Sequence, residues 1–348
     1  MIPQPLRRFC AILIGITFLV SGLLKIMDPV GTMLIVTEYF KFLHLGFLVP
    51  AAKVFGVLLA AVEALTGLAL VTGVIRRVAA WVSLVLVGFF TLITLVLLIA
   101  NPSMDCGCFG EAFHLSHLQS FLKNVVLSGL AAAAFLPMRS LGRPFARKWV
   151  GFGLTALAVL YAILYSNTHL PVLDFTDFRS GSELMASLDE EDDYDGPLPI
   201  LSFRDSSGEY LDTVAASGRV IVFSVYNPAS ANWERLHHQF LEVTEAGATA
   251  LLLVASYPAE VDSYGIPIDL PVLYADYKTL ITLNRSNGGA TYICDGEIIA
   301  KWHQREFPAG IGNIISGDPE DVSSEQVLSR RLKAQGFALT LAAVLFLL

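Results

Sequence analysis

The chain is 348 residues long, 54% of them hydrophobic and only 16% charged, with a mean hydropathy of +0.61. That balance is too apolar for an ordinary soluble domain and marks a membrane protein. The formal net charge of −8 builds no basic face able to neutralise phosphates, which excludes nucleic acid as a partner, and four cysteines are too few for a disulfide scaffold, so any redox role must be local.

Met1 to Arg8 is short and basic, and Phe9 to Leu24 follows without a charge until Lys25. No small-residue cleavage site closes this run, so it predicts a retained first transmembrane helix, not a removed signal. Runs of about 18 to 20 apolar residues cross the ~30 Å hydrocarbon core. Val54 to Gly73, broken only by Glu63, Val78 to Ile99, and Trp149 to Asn167 approach that length, and Asn124 to Met138 reaches it if it starts near Leu118. Five spans are expected. Gly31 to Leu48 mixes apolar residues with Glu38, Lys41 and His44, which suits a segment lying in the interface.

Arg7 and Arg8, Arg76 and Arg77, and Arg139, Arg143, Arg147 and Lys148 then fall on one side. By the positive-inside rule that side is cytoplasmic, which puts the amino terminus inside and both the Cys106 loop and everything after Asn167 outside. Asp174 to Pro199, with its run Asp189-Glu190-Glu191-Asp192-Asp193, reads as a solvated acidic tether.

From Leu198 the composition is that of a globular α/β domain. Val220 to Val225 and Thr249 to Ala255 read as buried strands around a helix over Ser230 to Ala246, and a short helix lies near Tyr277 to Asn284. Ala290 to Cys294 and Glu297 to Trp302 form a hairpin over the Asp295-Gly296 turn, giving the order βαβαββ. The last apolar stretch, Phe337 to Leu348, is too short to span comfortably, and Arg330, Arg331 and Lys333 precede it.

The sharpest chemical signal is Asp105-Cys106-Gly107-Cys108-Phe109-Gly110-Glu111, in a polar break between two apolar runs. Cysteines one residue apart close only a small, strained ring, and strain favours a labile disulfide over a structural one. Outside the membrane, Cys106 and Cys108 would suit thiol–disulfide exchange, against the plain alternative of two small residues in a turn. His114 and His117 follow closely, so Cys106, Cys108, His114 and His117 form a second candidate set, for tetrahedral zinc, although the spacing departs from usual zinc motifs.

Glu63 is a carboxylate inside a span, costly unless paired. It reads as a proton relay or a contact to a quinone-like carbonyl with Lys25 as partner, or as a structural interhelical hydrogen bond. In the outer domain the strand–helix junction Asn227-Pro228-Ala229-Ser230-Ala231-Asn232-Trp233 has no cysteine, and Cys294 falls at the end of a hairpin strand as a half-buried inert thiol.

Three stretches carry a family resemblance: Ser21-Gly22-Leu23-Leu24-Lys25-Ile26-Met27-Asp28-Pro29, Glu63-Ala64-Leu65-Thr66-Gly67 and Asp105-Cys106-Gly107-Cys108-Phe109-Gly110. Over roughly Leu6 to Met138 the chain resembles the DoxX and MauE superfamily of small membrane proteins, and the whole architecture resembles DoxX-family proteins of Bacteroidetes. The resemblance implies a four-helix membrane bundle and, for MauE-like members, a role in periplasmic disulfide formation. The wider DoxX group implies a quinone link. Leu198 to about Pro308 resembles a membrane-tethered thioredoxin-like domain lacking its Cys-x-x-Cys pair, with Gly289-Ala290-Thr291 where thioredoxins place a cis-proline.

The expected fold is thus a membrane all-α helical bundle of four core helices plus a fifth span, followed by an α/β thioredoxin-like extracytoplasmic domain. Its parts are a bundle over 1–138, a cytoplasmic loop and fifth span over 139–167, an acidic linker over 168–197, the α/β domain over 198–316 and a tail over 317–348. The expected location is the bacterial inner membrane, with 168–330 periplasmic. The expected partners are lipid and periplasmic client thiols. An alternative is a non-enzymatic membrane scaffold whose degenerate domain docks a periplasmic partner.

Overall fold

The uncharged runs become helices of the length the hydrocarbon core demands. The computed structural model describes residues 3–104, 106–113, 115–136, 146–184 and 201–346. Asp105, His114, Arg139, Arg143, the Arg147 side chain and the acidic run Asp189 to Asp193 lie outside the described residues. The chain divides into two compact units, Met1–Thr168 with Gln335–Leu348, and His169–Ala334.

In the first unit α1 (Gln4–Met27) ends where Pro29 forbids continuation. Asp28 accepts from the Gly31 amide at 2.8 Å and starts α2 (Pro29–Phe42). At 14 residues α2 is too short to cross a bilayer. After it come α3 (Ala52–Thr72), α4 (Arg76–Ala100), the extended piece β1 (Cys108–Glu111), α5 (His117–Phe135) and α6 (Ala146–Ser166). Five helical segments, based on α1, α3, α4, α5 and α6, are long and apolar enough to cross a membrane, as expected.

Helix α1 touches α3, α5 and α6, and its approach to α3 is set by small residues. A Cβ on Gly22 would lie 2.5 Å from the Ala64 amide nitrogen and 2.6 Å from the Ala60 carbonyl oxygen. Lipid tails are as apolar as the helices, so such backbone-to-backbone packing replaces the hydrophobic drive of water-soluble cores. Polar side chains join α4 to α5: the Asn124 amide donates to Phe90 O and to Thr94 Oγ1, both at 3.2 Å.

At the amino-terminal end of α1 the Arg8 guanidinium donates to the Leu70 and Val71 carbonyls at 2.7 and 2.6 Å, satisfying orphan groups at the end of α3. Arg76 and Lys148 are close enough to Arg8 to interact with it electrostatically. The basic residues of three separate stretches therefore meet at one end of the bundle, and the Cys106 loop packs at the other end of α1.

The second unit is a six-stranded mixed sheet. Its strands are β2 (Phe203–Arg204), β3 (Arg219–Val225), β4 (Thr249–Val254), β5 (Val272–Ala275), β6 (Gly289–Cys294) and β7 (Glu297–Trp302), in the order β2-β5-β4-β3-β6-β7. Strands β3, β4 and β5 run parallel, while β6 and β7 form the expected hairpin over Asp295 and Gly296, both at positive φ. Helices α7 (Trp233–Glu245) and α9 (Ile311–Ser316) cover one face and α8 (Tyr277–Leu283) the other.

Three expectations change. The order βαβαββ omitted β2 and β5, two short strands on one side of the sheet, too brief to show a period. The helix expected from Ser230 starts at Trp233, because Asn232 caps it and Pro228–Ser230 forms a separate 3-10 turn.

The third concerns the linker. Asp174 to Leu184, expected within a solvated tether, packs on the α/β unit: Phe178 and Leu184 are buried, and Gly181 and Ser182 exchange backbone bonds with Ile298. The half-buried Asp174 carboxylate meets the buried Lys301 Nζ at 2.7 Å. Its charge solvates a buried partner, so acidity here does not mean exposure. The tail likewise starts as α10 (Pro319–Phe346), whose Gln326 side chain bonds both backbone groups of Lys301 at 3.0 and 2.9 Å. Helix α10 is not among the five candidate spans.

Candidate functional site

The Cys106 loop does not stand out in water; it folds back onto the bundle. Cys106 is buried and Cys108 half-buried, and both thiols are free, with their sulfurs 2.7 Å apart. The loop is anchored from two sides: Tyr39 of α2 donates its hydroxyl to Cys106 O at 2.7 Å, and Ser21 of α1 lies 2.7 Å from Cys108 O.

Gly107 makes the fold-back feasible. It has φ +60°, and a Cβ there would lie 2.3 Å from Ile35 Cγ2 on α2. Replacing it with Ala adds about 1–2 kcal/mol of backbone strain to that clash. The Gly107→Ala variant is expected to lift the loop off α2 and speed labelling of Cys106 by a membrane-impermeant thiol reagent, with Ile35→Ala restoring part of the protection. Unchanged labelling would contradict this account.

Beneath the loop, Lys25 Nζ lies 2.7 and 2.8 Å from the two oxygens of Glu63, and Ser21 Oγ lies 2.7 Å from Glu63 Oε2. Lys25 also donates to Ser21 Oγ at 3.2 Å. Glu63 is fully buried and Lys25 nearly so. The two residues singled out in the sequence are therefore brought together, and Ser21 links them to the Cys108 carbonyl. All of these groups line one apolar cavity of about 280 Å³ in the bundle, walled by Phe40, Phe89, Phe90 and Phe109. Phe55 and Phe89 are also exposed on the helix surface that lipid covers.

Helix α5 supplies residues that sequence reading did not assign to the site. A reciprocal cap, Gln119 N to Ser116 Oγ and Ser116 N to Gln119 Oε1, sets its start. That start places Ser120 close to Cys106, and Lys123 close enough to both sulfurs to act on them electrostatically. Lys123 Nζ also sits 4.7 Å from the Phe109 ring centre. The available signal was their i, i+3 spacing with Asn124, which puts all three on one face.

The pair is electrically asymmetric. Cys108 is drawn down to about 6, chiefly because the Cys106 thiol donates to its sulfur, with Lys123 and Lys25 adding to the effect against the opposing pull of burial. Cys106 is pushed up, first by sharing its proton with Cys108, then by burial. Tyr39 is pushed up too, by burial and by the neighbouring sulfurs.

His117 does not join the thiols. One ring nitrogen lies 2.9 Å from Met104 O and the other 3.3 Å from Asn101 Oδ1, and no three described His, Cys, Asp or Glu residues gather around a metal position. The zinc set therefore does not assemble among the described residues.

In the α/β unit the junction of β3 and α7 is held shut by a reciprocal pair: Asn227 N donates to Asn287 Oδ1 at 2.9 Å, and Asn287 Nδ2 donates to Asn227 O at 2.8 Å. Cys294 is half-buried, and burial followed by the charge of Asp295 pushes its thiol up, which suits an inert residue.

Residues 3–137 match the family model of the methylamine utilisation protein MauE. No curated protein and no solved structure matches the chain. With five apolar helices able to cross a bilayer and this match across the first four, the chain is a multi-pass membrane protein, MauE-like over residues 3–137.

Proposed function

We propose that this protein is a membrane thiol–disulfide oxidoreductase that works through Cys106 and Cys108. The observation that carries the reading is that the two thiols and the buried Lys25–Glu63 pair open into the same cavity. When the pair is oxidised, the disulfide passes to a client dithiol: the client becomes disulfide-bonded and Cys106 and Cys108 regain two thiols. Regenerating the disulfide removes two electrons and two protons. A quinone held in the cavity would supply the two-electron, two-proton acceptor for that step.

The residues present fit such a group: phenylalanine walls for a ring, an apolar opening for a tail, and Lys123 as a cation beside it. Ser21, bonded to the Cys108 carbonyl, and the Lys25–Glu63 pair would take up and pass on a proton released in the cavity. In this reading the membrane is the bacterial inner membrane, the amino terminus is cytoplasmic and residues 168–330 are periplasmic. The gathering of Arg8, Arg76 and Lys148 at the end of the bundle away from the thiols supports that orientation. The strand order β4-β3-β6-β7, with α7 between β3 and β4, supports a thioredoxin-like domain of the DoxX-family architecture. Having no thiol at the β3–α7 junction, that domain would dock clients without shuttling electrons.

The test is to trap the redox state of Cys106 and Cys108 in cells by rapid alkylation and mass spectrometry, with and without quinone depletion. A mixture of thiol and disulfide that shifts towards thiol without quinone is expected. A pair oxidised equally in both conditions would overturn the reading and favour the non-enzymatic scaffold, with the cysteines as a staple.

A further inference from the structure

We infer that the end of the bundle away from the thiols is a binding site for an anionic phospholipid, whose phosphate sits between Arg8 of α1 and Arg76 of α4. The site stands apart from the redox chemistry and would serve the oxidoreductase and the scaffold alike.

Backbone carbonyls fix the two guanidinium groups there. Arg8 donates to Leu70 O and Val71 O at 2.7 and 2.6 Å, and Arg76 Nε donates to Gly73 O at 2.7 Å, so both are tied to the same turn at the end of α3. Arg7 Nε donates to Ala134 O of α5 at 3.0 Å. All three arginines line one small cavity of about 20 Å³, beside Leu70 and Phe135. Lys148, at the start of α6, acts on Arg8 electrostatically.

Neutral carbonyls position these charges without cancelling them. A guanidinium carries five N–H donors in a planar fork, and the carbonyls take two from Arg8 and one from Arg76. Among the described residues no carboxylate pairs with Arg8 or Arg76. The acids between Met1 and Thr168 are Asp28, Glu38, Glu63, Asp105 and Glu111, and none falls in the start of α1, the α3–α4 turn or the stretch from α5 to α6. The positive-inside rule asks only that basic residues lie on that side, which the exposed Arg77 does. It does not ask that Arg8 and Arg76 fold back around a cavity.

A phosphodiester matches two such forks through bidentate bonds. The cavity admits about one water-sized group, so one phosphate oxygen enters and the rest of the ligand stays at the surface. There the exposed side chains of Leu6, Phe9, Val78 and Leu136 flank the arginines and give acyl chains an apolar surface to lie on. That combination favours a lipid over a free phosphate.

Titrating phosphatidylglycerol into the full-length protein in neutral detergent, read by native mass spectrometry, tests this, with phosphatidylcholine and inorganic phosphate as comparison ligands. Wild type should retain phosphatidylglycerol in preference to phosphatidylcholine, and inorganic phosphate at the same concentration should not displace it. A cation beside an anionic headgroup contributes about fivefold in affinity, so Arg76→Gln, which leaves the Arg8 bonds to α3 in place, should weaken retention about fivefold and the double variant Arg8→Gln with Arg76→Gln about 25-fold. Arg77→Gln removes the same charge from the neighbouring position and should leave retention nearly unchanged. Equal retention of the two lipids, or a loss in Arg77→Gln as large as in Arg76→Gln, would overturn the site in favour of diffuse charge that serves topology alone. Displacement by inorganic phosphate would overturn the lipid assignment. The comparison of the two lipids on wild type needs no variant to fold.

Discussion

Replacing Lys25 with Met is expected to destabilise the helical bundle by about 3–5 kcal/mol, because it strands the Glu63 carboxylate in an apolar interior with Ser21 as its one remaining donor among the described residues. The sign follows from the asymmetry between breaking a buried pair and deleting it. The attraction of two buried ions is largely offset by the cost of taking them out of water, so the pair is worth little net, but one ion left alone keeps its full cost. The double variant Lys25→Met with Glu63→Met should therefore recover most of the loss. Thermal unfolding in detergent of the single and double variants measures this, and a double variant as unstable as Lys25→Met alone would refute it. The double variant also separates structure from function. If it folds yet Cys106 and Cys108 no longer cycle in cells, the pair acts in the redox step beyond holding α1 to α3.

A loss of the same kind, about 1–3 kcal/mol at pH 7, is expected in the α/β unit from Lys301→Met, which leaves the Asp174 carboxylate with Thr176 and, at 3.9 Å, Arg330. Here pH gives a second readout. In the folded protein, burial pushes the Asp174 carboxyl up, but Lys301, Thr176 and Arg330 together outweigh it and hold the group below its ordinary value. A folded value below the unfolded one of about 3.9 stabilises the fold above that pH and stops doing so as pH falls through the folded value. Without Lys301 only Thr176 and Arg330 oppose burial, so the carboxyl moves up and this stabilisation shrinks. The gap between wild type and Lys301→Met should thus be widest near neutrality and close as pH drops below about 4. Hydrogen exchange of the β7 amides in the full-length chain reports it, and a gap independent of pH would show that the carboxylate is not the cause.

These two pairs also mark how far the chain could be read before it was folded. The spans were legible because a bilayer sorts residues one at a time: an uncharged run of the right length has one stable place, and α1, α3, α4, α5 and α6 lie where the runs lie. Glu63 announced itself as an anomaly in such a run, and Cys106-Gly107-Cys108 as a spacing with few structural uses. The hairpin was legible because Asp295-Gly296 is local turn chemistry.

What the sequence alone determined is therefore what each segment prefers: water or lipid, helix or turn. Only the tertiary structure decided who meets whom. Lys25 and Glu63 are 38 residues apart, and Ser21 and Cys108 are 87 apart. They meet because Gly22 lets α1 and α3 approach backbone to backbone and because Gly107 lets the loop turn inward under α2. Asp174 looked like part of a tether for the same reason. Charge reports a need for a polar partner, and whether that partner is water or a buried side chain is settled by packing between distant segments.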